Sequence, residues 1–153
     1  MSRLVRVGTV ALLVASTACS TGDGLEASEA RLRTPDQRAT LTIDGCARDG
    51  DLIVLGASTA SVLVQALLVI DGDDVDLERS GLTVTLADRG TLGAGDALLI
   101  ESATGRAGTI ESASVRGDRI DVVADAERVS VDGDVTEGVV ELSARCTAAE
   151  DLA

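Results

Sequence analysis

The segment Ala39-Thr40-Leu41-Thr42-Ile43 alternates apolar residues with threonine. Leu82-Thr83-Val84-Thr85-Leu86 repeats that alternation. A period of two places every second side chain on the same face of a β-strand, so each segment predicts a strand with one buried face. These two segments decide the fold class, which we predict to be all-β.

Further strands are predicted on both sides of these segments. Leu52–Leu55 is apolar on both faces, which predicts a central strand. Thr59–Ile70 is long enough for a buried helix, but its β-branched residues and the Asp-Gly turn after it favour a strand. The other predicted strands are Asp96–Ser102, Thr109–Arg116, Arg119–Ala126 and Val139–Cys146. We therefore predict a small antiparallel β-sandwich of seven to nine strands over residues 39–146, followed by a disordered tail over residues 147–153.

Residues 1–18 have the order of a secretory signal peptide. That order is Arg3 and Arg6, the apolar run Val7–Ala15, and the small residues Ser16-Thr17-Ala18. Cys19 follows directly, which predicts a bacterial lipoprotein signal in which its thiol receives a diacylglyceryl group. The apolar run is too short to cross about 30 Å of hydrocarbon. Ser16 stands where lipoprotein signals usually carry an aliphatic residue, so an ordinary secretory signal with an incidental cysteine is the alternative.

Residues 19–38 are polar and charged and contain Pro35, the single proline of the chain. Leu25, Ala30 and Leu32 form too thin an apolar face for a packed helix. We predict a flexible acidic tether here, with at most a nascent helical turn near Glu26–Arg33.

The composition excludes several classes of function. The net formal charge is −13, and removing residues 1–18, which hold two arginines and no acidic residue, leaves −15. Such a surface repels phosphate backbones, so we predict no nucleic-acid partner. His, Lys, Asn, Phe, Tyr and Trp are all absent, a bias that suggests the GC-rich genome of an actinobacterium. Hydrophobic residues still make up 45 %, enough for an aliphatic core.

These absences also weigh against catalysis. Without histidine the commonest general base and metal ligand is missing, and without aromatic residues no platform can stack sugars or bases. Gly56-Ala57-Ser58-Thr59-Ala60 only half resembles a nucleophile elbow, and no histidine could activate Ser58. We predict that the protein is not an enzyme and has no cofactor.

Three acidic or charged motifs have structural explanations. Asp71–Asp76 has clustered carboxylates, but Val75, Asp76 and Leu82 stand where a calcium-binding EF-hand loop needs an oxygen ligand, glycine and glutamate. Asp132-Gly133-Asp134 fails in the same way. Arg116-Gly117-Asp118 spells an integrin-binding tripeptide, yet it lies between two predicted strands, where a hairpin needs such a turn. We predict solvated turns and no metal site.

The three cysteines fall into two groups: one candidate for lipidation and one candidate disulfide pair. With Cys19 assigned to lipid, Cys46 and Cys146 remain as an even pair in a compartment where disulfides persist. In the predicted last strand Val140, Leu142, Ala144 and Cys146 share a face, which points Cys146 inward. Two free buried thiols are the alternative.

Short motifs here resemble the mycobacterial nineteen-kilodalton lipoprotein antigen family. They are Leu41-Thr42-Ile43-Asp44-Gly45 with Cys46, the apolar strand Leu52–Leu55, and the closing strand Val139–Cys146. The resemblance implies lipid on Cys19, a Cys46–Cys146 disulfide, and a surface antigen sensed by host receptors through its acyl chains. The tether departs from that family, because it is acidic rather than rich in serine and threonine.

The sequence supports two hypotheses about function. The first is a monomeric lipoprotein anchored by lipid on the extracytoplasmic face of the cell membrane, whose domain is a non-catalytic interaction module for an envelope lipid or a host or surface protein. The second is a carrier of lipid or another hydrophobic molecule, suggested by the long apolar run Val62–Ile70. A carrier would need a contiguous apolar pocket of several hundred Å³.

Overall fold

The computed structural model describes residues 25–87, 90–95, 108–129, 135–146 and 150–151, and ten β-strands lie in these ranges. They are β1 (Glu29–Arg33), β2 (Arg38–Asp49), β3 (Leu52–Ser58), β4 (Val62–Asp71), β5 (Asp74–Leu86), β6 (Gly90–Ala94), β7 (Thr109–Arg116), β8 (Arg119–Val129), β9 (Val135–Arg145) and β10 (Glu150–Asp151). The all-β prediction is confirmed. The described ranges contain no helix long and apolar enough to span a membrane.

Eight of these strands form a closed antiparallel barrel. Its order is β1, β2, β3, β4, β5, β6, β8 and β9, and β9 pairs back with β1. β7 also pairs with β8, next to the segment of β8 that pairs with β6, and it contacts β5. β10 pairs with β2 in parallel, so two residues of the predicted disordered tail are in a strand.

The predicted sandwich and the predicted tether are both corrected by β1. Glu29–Arg33 is a strand paired on one side with β2 and on the other with β9, where we predicted flexible chain or a helical turn. Ala30 and Leu32, whose apolar face was too thin for a helix, are fully buried because they alternate at the period of a strand. By filling the space between β2 and β9, this strand removes the two edges that an open sheet would leave, and the sheet closes into a barrel.

The core lies inside the barrel. An interior of eight strands is just wide enough for side chains to fill. All eight barrel strands contribute buried residues, which are mainly leucine, valine and alanine: among them are Ala30, Leu32, Leu41, Leu55, Val64, Leu68, Leu82, Val84, Ala94, Val122, Ala124, Val140 and Leu142. This packing explains how a chain with no aromatic residue forms a core.

The predicted strands within the described residues are confirmed, with one qualification about burial. Of the predicted strand Thr59–Ile70, residues from Val62 onward form β4 rather than a helix, and Thr59–Ser61 belong to the turn before it. Leu52–Leu55 lies in β3, which pairs on both sides, but Val54 is 45 % exposed because one face of every barrel strand points outward. The predicted strand Asp96–Ser102 lies outside the described residues.

The two ends of the barrel differ. At one end are the β2–β3, β4–β5 and β7–β8 turns, together with the start of β1 and the end of β9. We call this the entry end, because the chain enters the barrel there. The opposite end, the far end, holds the β1–β2, β3–β4, β5–β6 and β8–β9 connections.

Candidate functional site

The disulfide is at the entry end. Cys46 and Cys146 are bonded, with their Cα atoms 6.0 Å apart and 100 residues between them in sequence. A bulge between Ile43 and Gly45 in β2 shifts the register before Cys46. Cys146 is 8 % exposed, as the alternation of β9 predicted, and its backbone N–H donates to the carbonyl oxygen of Asp118 at 2.7 Å. The predicted pairing is confirmed.

Cys19, the predicted lipidation site, lies outside the described residues. The described chain begins at Leu25, which is buried and whose carbonyl oxygen accepts a hydrogen bond from Arg145 Nη1 at 3.3 Å. Ser28 N–H donates to the carbonyl of Arg145 at 3.0 Å, and Ile43 N–H donates to the carbonyl of Ser28 at 3.1 Å. These bonds attach the segment before β1 to the entry end, beside the disulfide.

The integrin-like tripeptide is a hairpin turn. Arg116 ends β7, Gly117 has φ +61°, and Asp118 precedes β8. The Asp118 carboxylate pairs with Arg145 Nε at 3.1 Å, and its carbonyl accepts from Cys146 as described above. The aspartate therefore helps to hold the β7–β8 turn against the end of β9, as a turn residue would.

The aspartate-rich segment is the β4–β5 turn and the start of β5. Asp71 and Asp74 are opposite each other in the backbone register of β4 and β5, as predicted for a hairpin. Asp76 Oδ1 accepts from the backbone N–H groups of Glu78 and Arg79, both at 3.1 Å. Within the described ranges no three acidic or cysteine side chains are grouped as metal ligands. Asp132-Gly133-Asp134 lies outside those ranges.

Ser58, the serine of the segment that half resembles a nucleophile elbow, is the last residue of β3 and adjoins a turn at the far end. The hydroxyl of the next residue, Thr59, accepts from the backbone N–H of Val62 at 3.1 Å and of Ser61 at 3.3 Å. The local hydrogen bonds therefore stabilise the β3–β4 turn.

A polar cluster joined by three side-chain hydrogen bonds is on the outer face of β8 and β9, and the sequence did not single it out. Arg119 donates to Asp121 through Nε at 2.6 Å and Nη2 at 3.0 Å, and Ser143 Oγ donates to the same carboxylate at 2.7 Å. Burial raises the pKa of Asp121, but the hydrogen bonds from Arg119 and Ser143 and the charges of Arg119 and Arg116 outweigh it and hold this pKa below its ordinary value. An ionised, fully bonded carboxylate of this kind stabilises the sheet and is a poor general base at neutral pH.

Among the surface clefts formed by described residues are the following three. One, near the entry end, lies between the β4–β5 turn and β7 and includes Arg48, Asp73, Asp74 and Arg116. The other two overlap on the outer face of the β1–β2 hairpin toward the far end, and have volumes of about 510 and 380 Å³. Arg33, Arg38 and Glu141 line both of these, and Arg31 lines the smaller. We call this the arginine cleft.

The arginine cleft was missed because its residues lie in the segment that we predicted to be a tether. Arg31 and Arg33 point outward from β1, and Arg38 is the residue directly opposite Arg33 on β2. The available sequence signal was the alternation of arginine with buried residues over Arg31–Arg33. It becomes visible only once the segment is read at the period of a strand.

The carrier hypothesis gains no support from these clefts. Each of the three is at the surface and is lined by charged side chains, whereas the barrel interior is occupied by the buried side chains of its own strands. The apolar run that suggested a carrier divides between the two faces of β4: Val64 and Leu68 are buried in the core, and Leu63 is 41 % exposed on the outside.

Glu127 and Glu137 are a carboxylate pair that the sequence did not single out. They are directly opposite each other on β8 and β9, and Glu127 Oε2 is buried with no hydrogen-bond partner among the described residues. Neither residue lines any of the three clefts.

No protein-family model and no curated protein matches this chain.

Proposed function

We propose that this protein is a cell-envelope lipoprotein, anchored through Cys19 on the extracytoplasmic face of the membrane, with a β-barrel that serves as a non-catalytic interaction module. The observation that carries the proposal is the Cys46–Cys146 disulfide. Disulfides persist in oxidising compartments outside the cytosol, which is where the signal-like residues 1–18 would send the chain. A link to the nineteen-kilodalton antigen family remains part of this proposal.

The short distance in sequence between Cys19 and β1 supports anchoring of the barrel close to the membrane. Glu29, the first residue of β1, follows Cys19 by ten residues, which at full extension span at most about 35 Å. Leu25 is already buried, so the free length is shorter still. A lipid on Cys19 would hold the barrel near the headgroups, with the entry end on the side from which the chain arrives.

The chemistry of the described polar groups supports a binding role. The carboxylate with the clearest perturbation, Asp121, is ionised and satisfied by Arg119 and Ser143. The serine and threonine of the β3–β4 turn have no histidine or lysine in the chain to activate them. The barrel instead offers a stable, disulfide-bonded surface.

The test is mass spectrometry of the amino-terminal peptide together with membrane fractionation of a Cys19→Ser variant. We expect an acylated cysteine at position 19 and release of the variant from membranes, because two or three acyl chains anchor a domain firmly at about 0.8 kcal/mol per buried CH₂. Cys46→Ser and Cys146→Ser together form the control, since that variant should stay anchored. Tight membrane association of Cys19→Ser would refute the anchor.

A further inference from the structure

We propose that the arginine cleft binds the phosphate group of a small phosphorylated molecule. This inference deepens the proposed role as an interaction module and rests on it. The cleft is formed by the outward side chains of Arg31 and Arg33 on β1, Arg38 on β2 and Glu141 on β9. These residues line the smaller of its two overlapping parts, whose volume of about 380 Å³ is that of a small-molecule site.

Two like charges face each other in the cleft. Arg33 and Arg38 are directly opposite each other across β1 and β2, next to the turn closed by the Thr34 N–H to Gln37 carbonyl bond at 2.8 Å. Like charges in this position destabilise a sheet. An anion bound between the two guanidinium groups would turn this repulsion into attraction.

The positive charges of Arg33 and Arg38 are weakly compensated by the described residues. Arg33 Nη1 is 3.4 Å from Glu141 Oε2, and both side chains are about half exposed, so the pair contributes little. Arg38 forms no ion pair with any described residue. Both side chains can therefore turn toward a ligand without breaking a strong interaction.

The formal charge of the cleft matches that of a phosphate group. The smaller part of the cleft is lined by three arginines and one glutamate, a local formal charge of +2. Asp36 lines only the larger part, and it pairs with Arg128 at 3.5 Å. A charge of +2 matches a phosphate monoester, which carries about −1.5 to −2 at neutral pH. The planar guanidinium forks of arginine fit phosphate oxygens in pairs. Thr40, also in the cleft, can add a hydroxyl donor.

The net negative charge of the chain restricts the ligand to a small one. A polyanion or an anionic membrane would meet the repulsion of many acidic residues beyond the cleft, whereas charges farther than about 8 Å are largely screened for a small ion at physiological salt. The cleft also lies toward the far end, away from the end where the chain enters. A small phosphorylated molecule in solution therefore fits better than a lipid headgroup.

The experiment uses the secreted Cys19→Ser protein, which keeps every described residue and makes the result independent of lipidation. Inorganic phosphate is titrated against amide chemical shifts and against the thermal midpoint, with sodium chloride at equal ionic strength as the reference. We expect saturable shifts at Arg33, Arg38 and Thr40 and a midpoint that rises with phosphate, because a ligand that binds only the folded state stabilises it.

Arg38→Gln should weaken phosphate binding at least about tenfold, since it removes a charged hydrogen-bonding partner. In chloride alone the same variant should be no less stable than the parent, because a like-charge pair has been removed. Arg79→Gln is the matched control: Arg79 is exposed on β5, outside the cleft, and its loss should leave phosphate binding unchanged.

A parallel arm measures sedimentation with vesicles of phosphatidylcholine alone and of phosphatidylcholine with phosphatidylglycerol. Phosphate binding without vesicle binding supports a free phosphorylated ligand. If the protein binds the anionic vesicles but not inorganic phosphate, and that binding needs Arg38, the ligand is a lipid headgroup and the proposal of a free phosphorylated molecule is wrong. Absence of both, or phosphate binding that is equal in Arg38→Gln and the parent, would overturn the site, even if Cys19 proves to be lipidated.

Discussion

Replacing Leu32 by alanine tests whether β1 belongs to the barrel. Leu32 is 1 % exposed and lies in β1, between β2 and β9. Its partner on β9 is Leu142, which is also buried. If the segment were a tether, this substitution would change the stability of the folded domain by only a few tenths of a kcal/mol.

The barrel predicts a much larger loss. Leucine-to-alanine changes in cores cost about 2.7–5 kcal/mol, and the higher values occur where the surroundings cannot close around the cavity. β1 is paired on both sides, so its backbone is held in place and the cavity should persist. We expect a loss of about 3–5 kcal/mol, a large fraction of the 5–15 kcal/mol typical of a domain.

The measurement is unfolding in urea followed by far-ultraviolet circular dichroism, because the chain has no Trp or Tyr to report by fluorescence. Leu63→Ala is the matched control: the same atoms are removed from a leucine that is 41 % exposed on β4, and the cost should be about 1 kcal/mol or less. Equal, small losses for the two variants would refute the assignment of β1 to the barrel.

Two further predictions concern the disulfide and Asp121. Replacing Cys46 and Cys146 together by serine should destabilise the oxidised protein by up to about 4.7 kcal/mol, since the bond closes a loop of about 100 residues; alkylation of both native cysteines without reductant would contradict it. Because the folded pKa of Asp121 lies below its ordinary value, its stabilisation should be fully present above the unfolded pKa of 3.8 and lost as pH falls through the lower folded value. Asp121→Asn should therefore remove about 1 kcal/mol or less at neutral pH and flatten the acid side of a stability–pH curve, and an unchanged curve would contradict it.

The sequence predicted the parts of the fold that depend on neighbouring residues. Alternation at a period of two identified the first half of β2, the end of β5 and most of β9, and a glycine-containing turn separated β7 from β8. Both cysteines and the inward direction of Cys146 could be read in the same way. These features are local, because a strand's pleat fixes which side chains share a face whatever the strand pairs with.

The candidate cleft could not be read from the sequence because it depends on β1. Glu29–Arg33 has only Ala30 and Leu32 on its buried face, and its outward residues are charged, as they would be in a solvated tether. Nothing local distinguishes the two states, and Arg38 becomes a neighbour of Arg33 only through the β1–β2 turn.

The choice between sandwich and barrel was likewise made by tertiary structure. The alternation of apolar and polar residues predicts that one face of each strand is buried. Both two packed sheets and one closed sheet bury one face of each strand, so the pattern does not distinguish them. Closure required Arg33 on β1 to meet Glu141 on β9, a separation of 108 residues in sequence. Such a pairing is decided by which arrangement buries every apolar face and leaves the fewest unpaired edges, and that is a property of all the strands together.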